Sequence, residues 1–176
     1  MQRHVLTLIG NDRPGIINAL ATGVRDLGGN WLASRMARLA GQFAGIVELD
    51  LPVGHQAGLE TLLLTLRTGG LAVTVHQGDA ASAAPGKIWH IDLLGNDRPG
   101  IVHEVSRAVA AAGGNVEEWE SRVISSPMSG TPLFELQGTV RMPEPTSEFE
   151  NSEDNLRAAL EALGADLSVD IRLTAS

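Results

Sequence analysis

The chain has no cysteine and no tyrosine, and only three phenylalanines and three tryptophans among its 176 residues. Without thiols it forms no disulfide, offers no thiolate nucleophile and builds no cysteine-ligated zinc site, although zero cysteine suits either redox compartment. No apolar run approaches the roughly 20 residues that cross a bilayer. The opening MQRHVLTLIG has neither a long apolar region nor a small-residue cleavage site, so a cytoplasmic location without membrane association is the expectation. Positive charge is scarce as well: 13 Lys+Arg against 21 Asp+Glu leaves a net charge of −8. A phosphate-binding surface needs clustered cations, so direct nucleic-acid binding is not expected. The imbalance is local. Residues 1–80 carry six Arg against six Asp+Glu, whereas 86–176 carry seven Lys+Arg against fifteen Asp+Glu. The second half is either simply solvated or an acidic docking face for a basic protein partner.

What is present is the stuff of a globular protein, with 43% hydrophobic and 19% charged residues, long enough for one ordinary domain or two small ones. A repeat decides between these. Gly10-Asn11-Asp12-Arg13-Pro14-Gly15-Ile16 recurs letter for letter as Gly95-Asn96-Asp97-Arg98-Pro99-Gly100-Ile101, an offset of 85. Gly28-Gly29-Asn30 returns at the same offset as Gly113-Gly114-Asn115. Further on, Ser34-Arg35 matches Ser121-Arg122 at 87, and Phe43 and Pro52 match Phe134 and Pro143 at 91, which implies small insertions in the second copy. Between the copies, residues 79–86 are small, with Pro85 and Gly86, and read as a linker between a domain at 1–78 and a domain at 87–176.

Each copy begins with a short apolar run, His4–Ile9 or Ile88–Leu94, stopped by Gly-Asn-Asp: a strand and a turn. Ile16, Ile17, Leu20, Val24 and Leu27, then Ile101, Val102, Val105, Val109 and Ala112, place one apolar stripe on a helix. Asp12 or Arg13 is expected at the helix start with Pro14 in the first turn, and Gly28-Gly29 and Gly113-Gly114 as the stops. Hairpins follow over Asn30–Leu39 with Gly45–Leu51, and over Asn115–Ser125 with Leu133–Met142. Second helices fit Ala57–Arg67 and Glu153–Leu163, the latter capped by Ser152, and Leu71–Val75 and Leu167–Leu173 close the units as strands. The order βαββαβ, twice, is that of a ferredoxin-like α+β unit: two helices on one face of a four-stranded antiparallel sheet. Its other face is left bare, so the two units are expected to pair, and the chain to form a homodimer.

The turn between first strand and first helix is the candidate ligand site. Helix amides without intrahelical partners favour a carboxylate there, and the glycines let a ligand approach the backbone. Asp12 and Asp97 attract an ammonium, and the amides of Asn30 and Asn115 both donate and accept, which suits an amino acid's two charged ends. The same residues equally make a plain capped turn and a helix stop. Other clusters carry less. His4, His55, His76, His90 and His103 lack ligand spacing, so no metal is expected. Glu118, Glu120 and Arg122 share a strand face as ordinary charge compensation, not as an acid–base pair. Ser125–Gly130 lacks the strand and helix flanks of a hydrolase elbow. Trp31, Trp89 and Trp119 fill core or interface space.

A strand, Gly-Asn-Asp-Arg-Pro-Gly-Ile, an amphipathic helix and Gly-Gly-Asn within βαββαβ resemble the ACT domain, the amino-acid-binding regulatory module of many metabolic enzymes. The tandem arrangement, with Ala33-Ser34-Arg35-Met36-Ala37-Arg38-Leu39-Ala40-Gly41-Gln42-Phe43, looks like the glycine cleavage system transcriptional repressor family. The resemblance implies a non-enzymatic sensor with no cofactor, acting on a transcription activator and not on DNA. It also implies ligand binding between paired units, through Asn11, Asp12, Arg13, Pro14, Gly15, Ile16 and Asn30, and Asn96, Asp97, Arg98, Pro99, Gly100, Ile101 and Asn115. The ligand would be a small amino acid such as glycine. The rivals are a constitutive adaptor or regulatory subunit without ligand response, and a small enzyme, for which the sequence offers no convergent nucleophile or acid–base pair.

Overall fold

In the computed structural model, which describes residues 1–78, 85–127, 129–144, 151–167 and 170–175, the chain divides into two compact units, Met1–Ser82 and Ala83–Ser176. The expected linker lies mostly at 79–84, outside the described residues. The first unit runs β1 (Gln2–Asn11), α1 (Ile16–Asp26), β2 (Asn30–Leu39), β3 (Gln42–Leu51), α2 (Gln56–Thr68) and β4 (Leu71–Gln77). The second runs β5 (Lys87–Asn96), α3 (Ile101–Ala111), β6 (Asn115–Ser125), β7 (Pro132–Met142), α4 (Ser152–Leu167) and β8 (Asp170–Ala175). Each sheet is antiparallel, in the order β2-β3-β1-β4 or β6-β7-β5-β8. This is the expected α+β, ferredoxin-like βαββαβ unit in tandem.

Alternation along the central strand decides which sheet face the helices cover. Leu6 and Leu8 on β1, with Val47, Leu49 and Leu51 on β3, meet Ile16, Leu20 and Val24 of α1 and Leu59, Leu62, Leu63 and Leu66 of α2 in one core. Ile91, Leu93, Leu136, Val140, Met142, Ile101, Val105, Val109, Leu156 and Leu160 build its counterpart. Each such side chain, fully buried, contributes about 1.5–3 kcal/mol. Trp89 is buried in the second core, and Trp31 and Trp119 pack against the two cores, as the lack of tyrosine and scarcity of phenylalanine led one to expect. The opposite faces differ in chemistry. That of the first unit is mixed, with Ile9, Ala37, Ala44, Ile46 and Ala72 beside Arg3, Arg35, Glu48 and Asp50, whereas His90, Asp92, Glu118, Glu120, Arg122, Glu135, Gln137 and Arg172 make that of the second mostly polar and charged.

The ladders correct the repeat alignment. Phe43 pairs with both Gly10 and Arg38, and Phe134 with both Gly95 and Val123, so β2 and β6 stay at offset 85 throughout. Ser34 opposes Val47 but Ser121 opposes Leu136, whose equivalent is Gly45. The Ser-Arg match at 87 is therefore coincidence of letters, and the whole shift to 91 is taken up in one place. The two-residue turn Ala40-Gly41, both at positive φ (49° and 81°) as in a type I′ hairpin, becomes a longer loop between Ser125 and Pro132.

Helix boundaries bring two more corrections. Neither Asp12, Arg13 nor Pro14 opens α1: the cap position is Gly15 at φ 92°, and Gly100 at φ 97° does the same for α3, with no side-chain cap at either. The chain must reverse sharply from strand to helix, and a left-handed residue makes that bend without a Cβ clash. At the other end the expected glycine stops hold: the Gly28 and Gly29 amides donate to Arg25 and Val24 carbonyls, and Gly113 and Gly114 to Ala110 and Val109. Ser152 is the first residue of α4 and not its cap, since the Asn155 amide closes the first turn onto the Asn151 carbonyl. Leu167, expected in the last strand, ends α4 instead, its Ala- and Leu-rich run extending the helix. Of the expected Leu167–Leu173 strand, residues 168 and 169 lie outside the described residues.

Candidate functional site

The two signature turns sit at equivalent places. β1 carries its last residue, Asn11, to the rim of the sheet, where it pairs with Gln42, and Asn96 at the end of β5 pairs with Leu133 in the same way. Asn11, Asp12, Arg13, Pro14 and Gly15 are exposed, as are Asn96, Asp97, Pro99 and Gly100, with Arg98 half-buried. Ile16 and Ile101 are buried at 3% and 2% exposure, so their side chains anchor the turns in the cores and present nothing to solvent. The first helical hydrogen bonds run from the Ala19 amide to the Gly15 carbonyl and from the Glu104 amide to the Gly100 carbonyl. The amides ahead of them have no side-chain cap, and the helix dipole makes each turn receptive to an anion.

Around this common backbone the two turns are wired differently. In the first, the Asp12 amide donates to the Gly41 carbonyl at 3.0 Å and its carboxylate accepts from Arg38 Nε at 2.7 Å. Asn11 Oδ1 accepts from Gln42 Nε2 at 2.7 Å. Arg13 Nη2 donates to the Gly69 carbonyl, at the α2–β4 corner, at 2.9 Å. In the second, the Asp97 amide reaches the Pro132 carbonyl at 3.1 Å. Arg98 turns onto its own helix, donating to Glu104 Oε1 at 3.0 Å and Oε2 at 2.7 Å, and to the Pro99 carbonyl at 3.1 Å. That two-pronged pair is the main cause holding the Glu104 carboxyl below its ordinary range; partial burial opposes it, while the charges of Arg98, Arg107 and His103 reinforce it.

Asn30 and Asn115, the remaining candidates, are not brought to the turns of their own units. Asn30 pairs with Asp50 while Asn11 pairs with Gln42, eight residues along the same strand, so the two asparagines lie at opposite ends of the sheet, roughly 26 Å apart at the usual strand rise. Asn115, opposite Arg141, stands equally far from Asn96, opposite Leu133. No single unit assembles a site containing both.

The residues set aside earlier have plain partners. Arg122 Nε donates to Glu135 at 2.5 Å and Arg141 Nε to Glu117 at 2.5 Å. The compensation for Arg122 thus comes across the ladder and not from Glu120. Among the described residues no group of three or more His, Asp or Glu could hold a metal ion, and no helix is long and apolar enough to cross a membrane. Residue spacing did not single out Arg38 and Gly69, which reach the first turn from β2 and from the α2–β4 corner, whereas Glu104 lies only six residues past Arg98, in the first turn of α3, where its spacing was a local signal.

The family model for the ACT domain matches residues 2–76, from the start of β1 into the end of β4. No curated protein matches the sequence. Among solved structures, an unknown protein from Galdieria sulphuraria superposes with a TM-score of 0.86 at 26% identity, over 99% of this chain and 98% of that one. A "putative glycine cleavage system transcriptional repressor" superposes with a TM-score of 0.66 at 20% identity, over 99% of this chain and 97% of that one, a likeness of fold. The first unit matches the ACT-domain model, and the second repeats its element order, its ladder register and its signature turn, so the chain has the fold of two ACT-like units in tandem.

Proposed function

We propose that the chain is a non-enzymatic, amino-acid-sensing regulator of the glycine-cleavage type, in which a small amino acid, such as glycine, binds at the strand–helix turns. The observation that carries this reading is an exposed helix N-terminus, uncapped by any side chain, with Asp and Arg side by side in each of two ACT-fold units. Such a terminus favours a carboxylate and the adjacent aspartate an ammonium. Asn30 and Asn115 lie across the sheet from the turns of their own units, so the turn residues carry this reading, and in a homodimer the asparagines of one chain serve a turn of the other. Ligand occupancy then regulates by favouring one pairing over another, which requires unequal affinity for the two states. The net charge of −8 supports a protein partner such as a transcription activator, and not DNA, in a cytoplasmic setting.

One observation favours a second reading, a constitutive adaptor or regulatory subunit of a metabolic enzyme. Asn11, Asp12 and Arg13 are all engaged with Gln42, Arg38 and Gly69, work that needs no ligand. A thermal-shift panel of the twenty amino acids at millimolar concentration separates the two, since a ligand bound to the native state raises its apparent stability. The sensor gives a selective shift that Asp12→Ala or Asp97→Ala abolishes while the protein stays folded. The adaptor gives none with any amino acid, and loses only some stability in the variants.

A further inference from the structure

The two turns share seven letters but not one electrostatic state. In the second, a carboxylate is already seated on the arginine: Glu104 takes Arg98 in a two-pronged pair at 3.0 and 2.7 Å. Glu104 also stands in the first turn of α3, where a negative charge compensates the helix dipole. Its equivalent in the first unit, one helical turn after the cap glycine and 85 residues earlier, is Ala19, and α1 has no acidic residue in its first turn. Arg13 consequently makes no ion pair among the described residues; its guanidinium leans on a carbonyl, that of Gly69. The aspartates are reversed. Asp12 is paired with Arg38, whereas the position of Arg38 in the second unit, opposite Phe134, is Val123, and Asp97 has no ion pair among the described residues.

We propose that Glu104 is an internal stand-in for a ligand carboxylate on Arg98, so that, although both helix starts are uncapped, only the first turn has an arginine, Arg13, open to the carboxylate of a small molecule. One chain then takes one such ligand, not two. This rests on the sensing reading above and adds to it a specificity-determining residue. A two-pronged guanidinium–carboxylate pair is among the stronger polar contacts, and a ligand in the second turn would have to displace an intramolecular competitor always at hand.

The test uses the full chain, its Glu104→Ala variant and its Ala19→Glu variant, with two readouts. Arginine labelling by phenylglyoxal, read by mass spectrometry, needs no ligand. Arg13 is expected to label severalfold faster than Arg98 in the parent chain, with Arg98 catching up in Glu104→Ala and Arg13 slowing in Ala19→Glu. Titration with glycine and, separately, acetate is followed on backbone amide resonances. In the parent chain only the amides of residues 15–18 should move, in Glu104→Ala those of 100–103 as well, and in Ala19→Glu neither set. Arg98 labelling as fast as Arg13 in the parent chain, or both turns moving in it, overturns the proposal while leaving sensing intact. Amides unmoved by either probe in the parent chain and in Glu104→Ala overturn both.

Discussion

Gly23 lets α1 approach Leu62 of α2 closely, and replacing it tests how the two helices are held. A Cβ at Gly23 would fall inside contact distance of the Leu62 isobutyl group, with Cδ2 at 2.9 Å and Cγ at 3.1 Å, and Leu62 is 9% exposed and seated in the core. In the second unit the equivalent pair is Ala108 and Ala159, a larger residue on one helix matched by a smaller one on the other. Gly23→Ala therefore gains about 1 kcal/mol of helix propensity but costs about 1–3 kcal/mol of overpacking, a net loss of about 1. Leu62→Ala loses about 2–4 kcal/mol, since the site is packed and collapses only in part. In the double variant the new methyl group no longer meets Leu62, so Gly23→Ala becomes stabilising by about 1 kcal/mol, and the coupling is about 2 kcal/mol in favour of the pair. Hydrogen exchange at the Leu6, Leu8 and Val47 amides, in the middle of the first sheet, reads the opening free energy of that unit separately from the other. Equal effects of Gly23→Ala with Leu62 present and absent would refute the knob-and-hole account.

Two other outcomes follow from local geometry and charge. Ala40 is the only non-glycine residue found at positive φ (49°) among the described residues, in the first position of the Ala40-Gly41 hairpin. Ala40→Asn should stabilise the first unit by about 0.5–1 kcal/mol, and a thermal midpoint that fails to rise would count against the turn assignment. The Glu104 carboxyl, held down chiefly by the Arg98 hydrogen bonds, should titrate below the ordinary glutamate range by carboxyl-carbon resonance, and return toward that range in Arg98→Gln. Because its folded pKa is depressed, the contribution of this pair is present above the pKa of an unfolded-chain glutamate and is lost as pH falls through the folded value.

The tandem βαββαβ order was legible in the sequence for a definite reason. Seven identical residues fixed the repeat, strand alternation and the helical stripes identified each element, and paired glycines marked the helix stops, all of them signals carried by neighbours in the chain. The candidate turns were legible in the same way, and they stand exposed where strand gives way to helix. Other features depend on residues distant in sequence. Ser34-Arg35 aligned with Ser121-Arg122 by letters, and only the ladder revealed that a single hairpin loop absorbs the whole insertion. Asn30 seemed part of one zwitterion receptor with Asp12 because both flank α1, yet a helix running back along its strand puts its two ends at opposite ends of the strands. The sequence by itself determined the fold, its duplication and the pair of identical turns. Tertiary structure alone decided that the turns are unlike, because Arg13 meets a carbonyl from the α2–β4 corner while Arg98 meets a carboxylate on its own helix, and a charge is defined by what the fold sets beside it.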